Sequence, residues 1–205
     1  AYEITYGDWS SDVCSSDLKV QMEYLHPDQV YQRVRDELVD FGLVSFPSAS
    51  RDLTVLNWRE EEMVVVCAPG HPLARFKRIN PARLDGEKYV AFDRKLVIRR
   101  EVDRFLRDHG VRVEVAFEFD SIENIKKAVE VGTGFALLPE PTIRQEIQAG
   151  TLLGLRLDGA RMVRPLGIIH RKQNKLSSTT RAFVDLLRSN GTSPGRNGQI
   201  GRAHV

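Results

Sequence analysis

The side chains able to do chemistry are few and scattered along the chain. His71 lies in Pro69-Gly70-His71-Pro72, a proline-stiffened turn directly after an apolar run. As a general base it would need a nucleophile within reach and an acid to orient its ring. No such set is legible, so a structural role is expected for His71. Cys67 closes the run Met63-Val64-Val65-Val66-Cys67 and reads as a small buried hydrophobe. Its single companion is Cys14, so the chain offers no disulfide framework and no CxxC redox or zinc site. Neither a cofactor nor a metal is expected. Arg94 and Arg99 could pair with a carboxylate ligand, but in a chain with 30 Lys and Arg residues the plainer reading is surface charge. Asp120-Ser121 precedes an apolar periodic stretch as N-capping residues do, which is worth about 1 kcal/mol to a helix. Thr133 sits between Gly132 and Gly134, where freedom at positive φ and close backbone approach point to a turn requirement.

The ends of the chain differ from the rest. Asp8 to Leu18 resembles a translated sequencing-library adaptor, and Gln199 to Val205 resembles its reverse complement. Such segments are set aside in reasoning about fold, which leaves residues 19–198 as the natural fragment. The first eighteen residues hold four acids and no Lys or Arg, and the last seven hold one Arg, so the remainder has 29 basic and 24 acidic residues. That excess is modest and spread out, a solvated surface rather than a nucleic-acid footprint. No apolar stretch approaches the ~20 residues of a membrane span. With one cysteine left in the natural part, a reducing, cytoplasmic setting is expected, and no membrane association.

Positioning falls to alternating strands and helices. Lys19 to Tyr24 alternates in period two, as a strand does. From Gln29 to Val39, Val30, Val34 and Leu38 recur at four-residue spacing, as on an amphipathic helix. Asp40 to Ser45 and Met63 to Ala68 read as buried strands. Lys88 to Phe92 follows as a strand, and Arg100 to His109 as a helix with Val102, Phe105 and Leu106 inward and Gly110 at its C′ position. Val111 to Phe117 reads as a strand with its odd positions on one face, and Ile125 to Val131 as a helix. Phe135 to Pro139 is a buried strand, Ile143 to Gly150 a short helix, Leu152 to Leu157 and Pro165 to His170 the last strands, and Thr179 to Arg188 the last helix. Residues 190–198 read as a disordered tail. Strands separated by helices imply an α/β architecture with parallel sheets. Two such units joined by strands near Met63 to Ala68 and Leu155 to Ile169 imply two lobes around a cleft, the default ligand site.

Four phrases then carry a family resemblance: Asp40-Phe41-Gly42-Leu43-Val44; Glu60 to Val66 running into Gly70-His71-Pro72-Leu73-Ala74; Asp120 to Lys126; and Val129 to Pro139. In this order and spacing they resemble the effector-binding domain of LysR-type transcriptional regulators. The resemblance covers nearly all of Lys19 to Ser189. It implies a periplasmic-binding-protein-like (type II) α/β fold, two Rossmann-like lobes joined by crossover strands, holding a small effector and acting on an N-terminal winged helix-turn-helix. Lobe I would take about 19–68 plus 158–189, and lobe II about 69–157. By the same comparison the DNA-binding domain and the first strand and helix of lobe I should precede Lys19. The first lobe is therefore expected to be incomplete, with a strand lacking between those at Lys19 and Ser45, and the fragment to be loosely packed on its own.

The resemblance also supplies candidate effector contacts. Ser45, Phe46 and Pro47 end a strand that points toward the cleft in the family, and loops after parallel strands host ligand contacts. Ala68 and Pro69, Phe92 and Asp93, Asp120 and Ser121, and Thr133 complete the expected lining. For Asp120 and Ser121, capping and lining stand as equal readings, and for Thr133 the turn reading is preferred. The helix from Gln29 to Val39 is expected to contribute to a homodimer or homotetramer interface. Two other function classes remain: a transporter's solute-binding protein, which would need a secretory signal, and an enzyme on the same scaffold. No activated nucleophile supports the enzyme, and Gly132-Thr133-Gly134 is too short for a dinucleotide fingerprint.

Overall fold

The structure, a computed structural model, describes residues 20–173 and 176–191. The adaptor-like ends, Lys19 and the tail from residue 192 onward lie outside the described residues. Along the chain come α1 (Pro27–Arg35), β1 (Gly42–Ser45), β2 (Leu53–Cys67), β3 (Arg78–Ile79), β4 (Lys88–Phe92), α2 (Val97–Asp108), β5 (Glu114–Phe119), α3 (Ile122–Glu130), β6 (Ala136–Pro139), α4 (Arg144–Ala149), β7 (Leu153–Leu157), β8 (Val163–Arg171) and α5 (Ser178–Gly191). No helix of the described residues is long and apolar enough to cross a membrane.

One strand organises the whole molecule. The first part of β2, Leu53 to Glu62, pairs antiparallel with β8, whose other edge carries β1. The second part, Met63 to Cys67, pairs antiparallel with β6 on one side and with β7 on the other. Beyond β6, Phe135 bridges in parallel to Tyr89, and β4 pairs in parallel with β5. The sheets are therefore mixed: among the described strands the parallel pairs all lie in the second lobe, and every pair involving β2 or β8 is antiparallel, contrary to the wholly parallel expectation.

The cores follow this division. A large cluster gathers Met63 to Cys67 with Tyr89, Phe92, Ile98, Val102, Ile125, Leu137 and Ile143. The smaller lobe has apolar contacts on both sheet faces, Val34 of α1 packing with Val44, Leu53 and Ile169 on one and Val184 of α5 with Trp58, Leu166 and Ile168 on the other. Met63 to Cys67 thus packs with the second lobe, so the change of core falls at Glu62/Met63 rather than at residue 68.

Several expectations need correction. Residues 20–26 form no strand, and Val20, Met22 and Tyr24 are about half exposed, at 53, 53 and 52%. An alternating segment gains nothing from extension unless a sheet lies beside it; none of the described strands pairs with it. Helix α1 stops at Arg35 because Glu37 turns to φ 58°, which leaves Leu38 exposed instead of on the apolar stripe. Strand β5 starts three residues later than expected, and its register against β4 slips between Tyr89 and Val90. That extra residue flips the faces, so Phe117 is 54% exposed while Val111 is buried ahead of the strand. Helix α5 extends to Gly191, into the stretch expected to be tail.

Candidate functional site

Register decides which sequence candidates can meet. Strand β1 runs parallel to β2, since each is antiparallel to β8, and its carboxyl end at Ser45 faces the Glu62/Met63 crossover. From the other lobe, β4 and β5 end at the same place: the Asp93 N–H donates to Phe119 O at 2.8 Å, and Pro139 at the end of β6 is opposite Met63. Carboxyl ends of strands from both lobes therefore converge on the crossover, where α/β folds place ligands.

A cleft of about 120 Å³ lies there. Its first-lobe wall is His26, Pro27, Asp28, Tyr31, Ser45, Phe46 and Ser48, and its second-lobe wall is Lys95 to Ile98 at the start of α2. Phe46 holds φ 49°, an uncommon conformation for an aromatic residue. It is fixed by its N–H donating to Pro165 O at 2.8 Å and by packing against the second lobe's core. Such backbone strain concentrates at ligand sites. The Tyr31 hydroxyl accepts from the Ser48 N–H at 2.9 Å, tying the loop after β1 to α1. On the opposite wall, Asp93 Oδ1 accepts from the Lys95 N–H at 2.8 Å and shapes the turn into α2. No side chain caps that helix, so its first-turn N–H groups keep no side-chain partner.

The sequence candidates thus separate. Ser45 and Phe46 line the cleft, and Asp93 shapes its second wall. Phe92 is core, its carbonyl accepting from Arg99 at 2.7 Å. Pro47 packs over Gly167, where a Cβ would come within 2.9 Å of the Pro47 Cβ. Asp120 is exposed, and Ser121 occupies the N-cap of α3 without a side-chain capping bond, so the capping reading holds for position alone. Ala68, Pro69 and Thr133 lie at the far end of the second-lobe sheet. The antiparallel pairing of Val66 with Ala136 carries the end of β2 and the start of β6 away from the crossover. Their expected place in the lining is corrected accordingly: in an antiparallel pair, adjacent strands end at opposite edges. The cleft is also lined by His26, Pro27, Asp28, Tyr31, Ser48 and Lys95 to Ile98, which the sequence alone does not single out. The signal for the last four was the start of α2, at Val97 rather than Arg100.

The arginines also divide. Arg94 is exposed, but Arg99 is buried, contrary to the surface reading; it binds Asp103 at 2.8 Å, Glu118 at 3.1 Å and the Phe92 carbonyl. The hydrogen bond from Arg94, joined by Arg99 and opposed by burial, holds the Glu118 carboxyl below its ordinary value. His71 serves the backbone: Nδ1 accepts from the Leu73 N–H at 3.2 Å, capping the short helical turn Pro72–Arg75. Burial pushes the Cys67 thiol up to about 11, as expected of an inert core cysteine.

Residues 16–192 match the model of the LysR substrate binding domain. The chain belongs to that family. This LysR domain is 33% identical over 168 residues to the HTH-type transcriptional regulator YeiE of Escherichia coli K12, covering 82% of the chain and 57% of YeiE. It is 26% identical to the HTH-type transcriptional activator CmpR of Synechocystis, covering 83% of the chain and 56% of that protein. It therefore spans a little over half the length of these curated relatives. Among solved structures, the Synechocystis CcmR regulatory domain in complex with 2-PG aligns with TM-score 0.71 and 27% identity, over 80% of this chain and 79% of that one. The effector-binding domain of QuiR in complex with shikimate aligns with TM-score 0.71 at 19% identity, over 80% and 78%, which shows the shared fold. The LysR domain is thus an effector-binding domain of the periplasmic-binding-protein-like type.

Proposed function

We propose that the cleft at the crossover binds a small acidic effector and that the occupied state is relayed to a DNA-binding domain elsewhere in a cytoplasmic LysR-type regulator, not used for catalysis. The observation that carries this reading is the pairing of walls: Ser45, Phe46 and Ser48 of one lobe face Lys95 and the uncapped start of α2 in the other. A cation and free N–H groups favour an anion, and the chain's relative CcmR is bound to 2-PG. Ser121, just past the carboxyl end of β5, would close on the ligand as the lobes approach, while Asp93 holds the turn into α2 through the Lys95 N–H and Asp120 stays turned to solvent. Ligand that contacts both walls favours the closed arrangement by its differential affinity, and assembly as a homodimer or homotetramer would pass that change to DNA.

Isothermal titration with a panel of small carboxylic and phosphorylated acids, 2-PG and shikimate among them, tests the reading. Lys95→Ala should weaken the binding acid about tenfold, or about 1.4 kcal/mol, and Ser45→Ala less. Binding confined to uncharged molecules, or unaffected by Lys95→Ala, would refute the acidic-effector assignment.

A further inference from the structure

At the β3 edge of the second lobe, far from the cleft, Arg75 and Arg83 both stack on one ring. Their guanidinium carbons lie 4.8 and 4.9 Å from the Phe76 centroid. Each arginine sits on a short helical turn opened by proline, Pro72–Arg75 and Pro81–Leu84. Both turns are capped by a side chain, His71 accepting from the Leu73 N–H and Asn80 from the Ala82 N–H at 3.0 Å. Both are anchored by the buried Leu73, Pro81 and Leu84. The backbone beneath the two cations is therefore fixed before anything binds. Lys77 and Arg78 adjoin them, also exposed, and Arg78 alone has an acid nearby, Asp158 at 3.5 Å. Among the described residues, no acidic side chain forms an ion pair with Arg75, Lys77 or Arg83.

Stacking occupies the flat face of a guanidinium and leaves its in-plane N–H fork free for a carboxylate. Two forks held by one ring suit two carboxylates close together. We propose that this surface docks an acidic segment of a partner protein, with neighbouring Asp or Glu side chains engaging Arg75 and Arg83. Duplex DNA is the less favoured partner, because affinity there rests on roughly 6–10 phosphate contacts and this surface presents four cations.

Fluorescence anisotropy of a labelled ten-residue Glu/Gly peptide, titrated with the 205-residue chain, tests the proposal. Saturable binding is expected, weakened roughly five- to tenfold by R75Q/R83Q together. F76L, which keeps both charges but removes the ring, should weaken it about twofold or more. R181Q, on the distant α5, should leave it unchanged, and far-UV circular dichroism verifies that each variant is folded. The proposal is overturned by a peptide that does not saturate, by R75Q/R83Q or F76L binding as tightly as the parent, or by tighter binding of a duplex of arbitrary sequence.

Discussion

Substituting Gly134 by alanine should be far more damaging than the same change two residues earlier. At Gly134 a Cβ would fall inside contact distance of the Lys88 carbonyl oxygen, 2.8 Å from its carbon and 3.0 Å from its Cβ. The obstacle is mostly backbone of β4 and cannot rotate aside. Relief requires β4 and β6 to part, at the expense of the Phe135 N–H bond to Lys88 O at 2.9 Å and the Val90 N–H bond to Phe135 O at 2.8 Å. Overpacking of this kind costs about 1–3 kcal/mol and each of the two lost bonds about 1 kcal/mol, so about 3–5 kcal/mol is expected in all. Gly132 meets nothing within 4 Å and requires only its φ of +81°, for which alanine costs about 1–2 kcal/mol. Urea unfolding followed by circular dichroism separates the two. With a slope of about 2 kcal/mol/M, Gly134→Ala should lower the midpoint by roughly 1.5–2.5 M and Gly132→Ala by roughly 0.5–1 M. Equal midpoints, or a larger fall for Gly132→Ala, would refute this account of the β4–β6 contact.

Tyr89→Phe should be neutral or stabilising by up to about 1 kcal/mol in the same assay, because the buried hydroxyl has no hydrogen-bond partner. Cys67 should resist thiol reagents at pH 8 until the chain unfolds. Because its thiol is raised from 9.0 to about 11, the folded state holds a proton the unfolded chain has released, and stability should decline as pH climbs between those values; Cys67→Ala should lack that decline. Glu118 shifts the other way, so its contribution is present above the ordinary carboxylate value of 4.5 and disappears as acid titrates its lowered folded value. Arg94→Gln should raise the Glu118 titration midpoint measured by NMR; an unmoved midpoint would contradict the assigned cause. Finally, β1, paired among the described strands with β8 alone, should show faster amide exchange than β4, which is paired on both sides, and uniform protection would argue against it.

The second lobe was largely legible in the sequence. Lys88 to Phe92 was placed to the residue, and α2 through its stripe of Val102 and Leu106 with Gly110 at φ +69°, because there a segment's own periodicity coincides with the face its neighbours bury. Legibility failed where a distant partner decides. Leu53 to Glu62 carries Arg59, Glu60, Glu61 and Glu62, which hide a strand until β8 supplies Arg164 for Glu61, at 3.1 Å from Nε, and Arg161 flanks Glu60. The bulge in β5 leaves no local mark: Val111, Val113, Val115 and Phe117 alternate as one face of a strand, yet Val111 is buried while Val115 and Phe117 are exposed. For the site, the strand end at Ser45-Phe46 could be found, but not the opposing wall. Lys95 reaches the cleft only because the two lobes meet there, and nothing in Arg94-Lys95-Leu96 announces it.

The continuity of β2 bears on how the domain moves. Where two lobes are joined by a flexible loop, each can reorient without disturbing the other's hydrogen bonds. Here the backbone that passes Glu62 is paired to β8 on one side of the crossover and to β6 and β7 on the other. A change in the angle between lobes would therefore have to be taken up where β2 passes from one set of partners to the other, at Glu62/Met63. A hinge at Glu62/Met63 would thus be a bend within a paired strand and not the swing of a loop.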